Sequence, residues 1–474
     1  IYGGTIGGPV YIPNKFNSNR DKLFFFYSRE NLRTFTPQNP GTVTMPTQLE
    51  RAGDFSQTLD VSGRLIAIKD PTSGTQFPGN VVPSARINKN GQAILNIFKL
   101  PNFFDRSISG GNYNYQWQQV SEVPKKQNML KMDYSLSAND RVSVRVRTWW
   151  ADTRQYNIFG TIQSNWDLLQ SHYLFTENSI AGTWTRVITP RSVSEFTASY
   201  RALAETSPKR SANEYDPITR SVRGLSTLGQ WYPKENPDDI VPQLSFGGVP
   251  SAANLATDVL GRLPIQAHDY RYTVVNNLSL TSGAHALKFG VYWEFNNASE
   301  GPRSNFSGNF AFGRDVNNPF DSNWAYSNAL LGNFLSYTES TKRTTGRNVV
   351  TLWECFAQDS WKVNRKLSLE YGLRFSLGSA WTFPDGDAAA FMPRLYEPAR
   401  APALILPALD SQGKRVGKNP LTGALVPAVL IGFYAPNSGN VTNGMVTAPE
   451  SAYDNGFNPG TGVRLGPRFG FAYD

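Results

Sequence analysis

Three histidines, His172, His268 and His285, and one cysteine, Cys355, are the side chains best suited to metal or nucleophilic chemistry in this 474-residue chain. Their spacing serves neither. No two histidines stand a helical turn apart, as a zinc pair on one helix face requires, and Cys355 has no histidine near it in sequence. His285 follows a tight turn, while His172 and His268 stand where loops become strands. A nucleophile, base and acid would have to be gathered from distant positions. The run Gly3-Gly4-Thr5-Ile6-Gly7-Gly8 lacks the Lys-Ser/Thr and the strand-to-helix setting of a phosphate loop. Asp70-Pro71-Thr72-Ser73-Gly74 lacks the alternate oxygen ligands and closing Glu of a calcium loop, and reads as a turn. The expectation is no catalytic residue, no metal and no cofactor.

Aromatic side chains offer a different chemistry. Trp231 with Tyr232, and Trp324 with Tyr326, lie in long segments rich in Pro, Gly and Asn. Exposed rings in such segments stack on sugars or anchor peptides; they also pin their own loops. These four are the candidate ligand-binding residues.

What would position them is a set of strands. From Arg141 to Trp150, one face carries Arg141, Ser143, Arg145, Arg147 and Trp149, and the other Val142, Val144, Val146, Thr148 and Trp150. Period-two alternation puts successive side chains on opposite faces of a sheet. The pattern recurs near residues 1–10, 22–30, 128–136, 141–150, 173–186, 192–202, 269–280, 285–296, 351–361, 367–377 and 467–474. Turn-formers at Ser137–Asp140, Thr189–Arg191, Thr281–Ala284 and Val363–Lys366 join some of these tightly. The remaining connections, Asn31–Gln127, Ala151–His172, Leu203–His268, Asn297–Val350 and Gly378–Gly466, are long.

Short turns at one end, long loops at the other and strands of about ten residues match a membrane-spanning barrel. A soluble sandwich has strands of about 5–6 residues and turns every 8–12 residues. The charged face, with Arg145, Arg271, Lys288, Glu294, Glu370 and Arg374, suits a wet lumen and not a dry core. The opposite face, with Val144, Phe196, Phe289, Val291, Leu369 and Leu373, suits lipid. Aromatics near strand ends, Trp149 with Trp150, Tyr270 with Tyr272, Trp293 with Phe295, and Trp361, suit interfacial girdles.

Composition agrees. Aromatics make up 13% of the chain and hydrophobic residues 40%, which excludes intrinsic disorder. No apolar run reaches the roughly 20 residues of a spanning helix. A lone cysteine excludes a disulfide scaffold. The net charge of +9 comes from 46 basic and 37 acidic residues spread along the chain, with no basic block of the kind that binds nucleic acid.

Phe356-Ala357-Gln358-Asp359-Ser360-Trp361-Lys362-Val363, followed by Leu367-Ser368-Leu369-Glu370-Tyr371-Gly372-Leu373-Arg374-Phe375, resembles a barrel hairpin common in TonB-dependent outer-membrane transporters. Gly3–Val10 with Lys22–Tyr27 resembles the strand pair after the family's plug. Arg51–Ser56, Asp70-Pro71, Phe77–Asn80, Pro83 and Arg86-Ile87 are similar to the first long loop of its Oar-like branch, as are His285–Gly290 and Pro467–Tyr473 to two of its strands. The resemblance implies an all-β, antiparallel up-and-down transmembrane barrel with long extracellular loops, here a single incomplete barrel domain of about eleven strands. It implies an outer-membrane place, lipid around the wall, and partnership with a plug domain and the TonB complex. It further implies uptake of a large extracellular solute, whether siderophore, oligosaccharide or peptide. The expectation is that signal peptide, plug and second barrel half are absent from this chain, which lacks an initiator Met. Competing expectations are a passive porin or adhesin-like barrel, and a soluble secreted β-rich glycan-binding protein or enzyme.

Overall fold

Eleven long strands, each hydrogen-bonded to its neighbours in chain order, form one continuous antiparallel sheet in the computed structural model. The structure describes residues 1–155, 165–168, 171–206, 219–255, 266–301, 304–453 and 456–474. The wall strands are β1 (Tyr2–Pro9), β2 (Leu23–Pro37), β3 (Val120–Ser135) and β4 (Asp140–Gln155). They continue with β5 (Ser171–Thr189), β6 (Ser192–Thr206), β7 (Gln266–Ser282) and β8 (His285–Glu300). The last three are β9 (Gly346–Lys362), β10 (Leu367–Gly378) and β11 (Val463–Tyr473). The sheet is open, with β1 and β11 at its two ends.

Consecutive antiparallel order puts alternate connections at opposite rims. The turns after β3, β5, β7 and β9 all fall on one rim, and backbone bonds link this rim sideways. Val187 donates to the Asn139 carbonyl, Thr281 to Arg191, Lys362 to Ala284 and Asp474 to Lys366, at 2.8–2.9 Å. The long loops leave from the other rim.

Most strands exceed the expected ten residues, reaching 19 in β5. The extra length lies mainly on the long-loop side. There Arg33, Glu122, Lys125 and Lys126 interrupt the apolar alternation, yet β2 and β3 stay paired out to Pro37–Val120. Backbone hydrogen bonding continues a ladder where the side-chain alternation has stopped.

Register sorts the side chains into two faces, because directly paired residues point the same way. Arg145 pairs with Ala181 and Lys131, then the row runs through Ser199 and Thr273 to Glu294. Arg271, Lys288, Glu370 and Arg374 fall on this same charged face. Val144, Phe196, Phe289, Val291, Leu369 and Leu373 share the other. On that apolar face Tyr200, Tyr272 and Phe295 form one aromatic row, with ring centroids 4.9 and 6.3 Å apart. Trp293 and Trp353 stand 5.9 Å apart below it. Trp149 does not join this girdle. It points to the charged face and packs edge-on against Phe175 at 4.9 Å.

Candidate functional site

The buried core of this protein lies in the loops, not in the wall. Residues from the β2–β3 loop (Met45, Phe55, Ile68, Leu95, Phe98), from Trp166, from the β6–β7 loop (Ile240, Leu244, Phe246) and from the β8–β9 loop (Phe306, Tyr326, Leu330) make one cluster. Tyr173, on the charged face of β5, joins it, with Phe175 packed alongside. The loops therefore fold down over the end of the charged face. Strands 243–245 and 309–311 pair in parallel, and 309–311 pairs with 336–338, which ties the β6–β7 and β8–β9 loops together.

Local sequence explains the joints. Helix α1 (Gln48–Arg51) opens with a capping box: Thr47 Oγ1 accepts from the Glu50 amide at 3.1 Å, and Glu50 accepts from the Thr47 amide at 2.8 Å. The Glu50 carboxylate also accepts from Thr58 Oγ1 at 2.9 Å and from Trp324 Nε1 at 3.1 Å. Burial pushes its carboxyl above the ordinary range, while these hydrogen bonds pull back. Arg51, also buried, donates to the Pro46 and Lys99 carbonyls. Helix α2 (Lys89–Leu95) lies against α3 (Ala325–Leu331), where Gly91 leaves no space for a Cβ beside the Ala329 carbonyl.

Beside this joint, a cavity of about 540 Å³ opens in the first long loop. Leu49, Leu59, Leu100, Phe103, Phe104 and Tyr113 supply most of its apolar wall, and Glu50 and Trp324 also line it. Sequence reasoning missed it. The adjacent Phe103-Phe104 pair, in a segment too polar to be a strand, is the signal that was available.

The four aromatic candidates separate. Trp231 is 66% exposed and Tyr232 39%. Both their amides donate to the Glu339 carboxylate, at 2.7 and 2.9 Å, and the Trp231 ring stands edge-on to Tyr337 at 4.9 Å. The expectation of exposure fails for Trp324 and Tyr326, which are 7% and 0% exposed. The Tyr326 hydroxyl donates to the Thr44 carbonyl at 2.6 Å, and both rings are loop core.

On the charged face several cations are laced to acids, mostly across strands. Glu177 lies between Arg147 (3.6 Å) and Arg201 (3.3 Å), and Asp269 between Arg201 (4.0 Å) and Arg271 (3.9 Å). Arg271 also reaches Glu294 at 3.7 Å. Arg374 pairs with Glu354 at 2.9 Å and covers the Phe356 ring. Glu370 accepts from Ser360 Oγ at 3.4 Å. Lys288 shares its row with Gln358 and Ser279, and Arg145 shares one with Lys131.

The histidines are absorbed locally. His285 Nδ1 meets Asp359 at 2.7 Å and its ring stacks on Trp361; His268 meets Ser299 Oγ. The His172 side chain lies outside the described residues. Among those described, no three His, Cys, Asp or Glu side chains gather as a metal-binding group.

A family model described as an outer membrane beta barrel domain matches residues 1–474. No curated protein matches the chain in sequence. Among solved structures, the outer membrane transporter YddB from Escherichia coli aligns over 79% of this chain and 33% of its own, at 10% identity and a TM-score of 0.39. The siderophore receptor PirA from Acinetobacter baumannii aligns over 80% and 36%, at 11% identity and a TM-score of 0.35. The ferric-catecholate import receptor Fiu from Escherichia coli K12 aligns over 99% and 45%, at 7% identity and a TM-score of 0.34. The chain thus spans between a third and a half of the length of these structures.

Proposed function

The chain belongs to the outer membrane beta barrel domain family, and from that premise we propose that it is part of an outer-membrane receptor that captures a solute outside the cell and imports it with energy supplied through TonB. The apolar face is the lipid-facing wall and the charged face lines the lumen. The observation that carries the import reading is the laced row from Arg147 through Glu177, Arg201, Asp269 and Arg271 to Glu294. A lumen lined this way presents paired donors and acceptors to a folded plug, which makes polar contacts without displacing lipid. The loop assembly above it supplies a concave, mostly apolar cavity of the size that holds small ligands. Transport, and not catalysis, is the activity of this arrangement.

The test is uptake by cells carrying the full-length protein, with and without TonB or the proton gradient. Accumulation that collapses when either is removed is the expected result. Accumulation insensitive to both would assign the protein to passive porins.

A further inference from the structure

We propose that the cavity of the first long loop takes a neutral peptide segment through a bulky apolar side chain; this ligand class rests on the reading of the loop assembly as the capture surface. Three features of the wall select it. The first is an unpartnered ring. Phe103 packs on Tyr113 at 5.3 Å, whereas Phe104 is 77% exposed and stands at the cavity's edge without a ring contact among the described residues. Leu49, Leu59 and Leu100 face the same space and are 36%, 37% and 49% exposed. A leucyl or phenylalanyl side chain entering here removes apolar surface from water on both partners.

The second is the charge balance. Glu50, Asp54 and Arg106 are the ionisable carboxylate and guanidinium groups of the wall. Glu50 is filled by Thr47, Thr58 and Trp324. Asp54 accepts from the Ser56 amide at 2.9 Å, and Arg106 donates to the Asp60 carbonyl at 2.6 Å. An anionic chelate would face two carboxylates against one guanidinium, which spends one donor on the Asp60 carbonyl.

The third is a pair of idle amides. The side chains of Gln48 and Gln57 also line the cavity; both are exposed and make no side-chain hydrogen bond to another described residue. A carboxamide offers both N–H and C=O, the two groups a peptide unit pairs with. A saccharide could stack on the Phe104 ring but leaves the three leucines without an apolar partner, which a leucyl or phenylalanyl side chain supplies.

The experiment uses the purified full-length protein in detergent micelles and equilibrium dialysis of a radiolabelled capped tripeptide, acetyl-Ala-Phe-Ala-amide. Maltotriose and a ferric tris-catecholate are the competing probes. The expected result is saturable tripeptide binding, weakened at least tenfold by Phe104→Ala with Leu100→Ala and retained by Phe104→Tyr. Both positions are exposed, so folding is checked simply by heat-resistant migration. Binding of maltotriose or the iron chelate that Phe104→Ala abolishes, with no tripeptide bound, overturns the peptide class and leaves the capture site standing. Binding of no probe, or binding that ignores both substitutions, overturns the site as well.

Discussion

Trp324 Nε1 donates to Glu50 Oε1 at 3.1 Å, joining residues 274 positions apart in the chain. Glu50 closes the capping box of α1 in the first long loop, and Trp324 stands at the N-terminal cap of α3 in the loop between β8 and β9. One carboxylate thereby fastens two loops that leave the wall six strands apart. Loops of this length would otherwise be costly to order, and the shared core they form makes them a single roof.

Trp324→Phe tests that fastening. The ring still fills the core, but one acceptor site on a buried carboxylate loses its donor. Oε1 keeps its hydrogen bond from Thr58, so the loss is that of one hydrogen bond to a charged acceptor, about 1.5–3 kcal/mol. The expected outcome is a full-length protein whose long loops are cleaved more readily by protease while its heat-resistant migration is unchanged. Loss of the barrel itself would show that the roof and the wall fold as one unit.

Glu50 also makes the roof sensitive to pH. Burial raises its carboxyl above the ordinary value of 4.5, so the closed roof binds a proton more readily than the open one. Where the closed state holds more protons, stability falls as pH rises. Closure is therefore firmest in acid and loosens as pH climbs from the ordinary carboxylate range through the raised value. Pulse proteolysis across urea gradients at several pH values should show this slope, and Glu50→Gln should flatten it. A slope of the opposite sign would mean that the hydrogen bonds from Thr47, Thr58 and Trp324 outweigh burial.

The wall was legible in the sequence because an apolar face and a charged face impose a period of two on its strands. Val142, Val144 and Val146 against Arg141, Arg145 and Arg147 carry the whole argument for β4, and one register slip would invert it. Legibility ends where the alternation ends. Beyond Trp150 the strand continues through Ala151 to Gln155 with no alternation to announce it. The roof was illegible for a different reason. Trp324 and Tyr326 look like exposed loop aromatics until Glu50 and Thr44, nearly three hundred residues away, are seen against them. No local pattern encodes such a contact. The same holds for the cavity, whose wall joins Leu49, Leu100 and Tyr113 only through the folding of the loop.

Trp231 and Tyr232 remain candidates for contact with solute. Their backbone is held by Glu339 whatever their side chains are, so replacing both by Ala should leave the loop in place. Aromatic contacts contribute about 0.5–1.5 kcal/mol each beyond area, and about 1.4 kcal/mol is a decade in affinity. The expected outcome is a several-fold to tenfold loss of solute capture by cells at matched surface levels. Capture unchanged in the double variant would leave the Trp231–Tyr337 contact as a purely structural one.

The assignment of faces predicts a sharp difference between neighbours. Val144 sits in a row with Gly182, Ala198 and Val274, and Arg145 in a row with Ala181, Ser199 and Thr273. The first row is small and apolar, as a lipid-facing band is; the second is polar and leads to Glu294. A cation placed on the lipid side near the bilayer midplane costs roughly 2–4 kcal/mol, whereas lumen substitutions chiefly tune selectivity. Val144→Arg should therefore lower the folding free energy of the full-length barrel in lipid vesicles by about that amount, with Arg145→Ser changing it far less. The measurement is the urea midpoint of heat-resistant, folded protein at fixed lipid ratio. Charge alone does not explain the contrast, because Arg145→Ser also alters charge at an adjacent position. If the two variants shift the midpoint equally, the faces are not distinguished by lipid and the wall does not span the bilayer with Val144 outward.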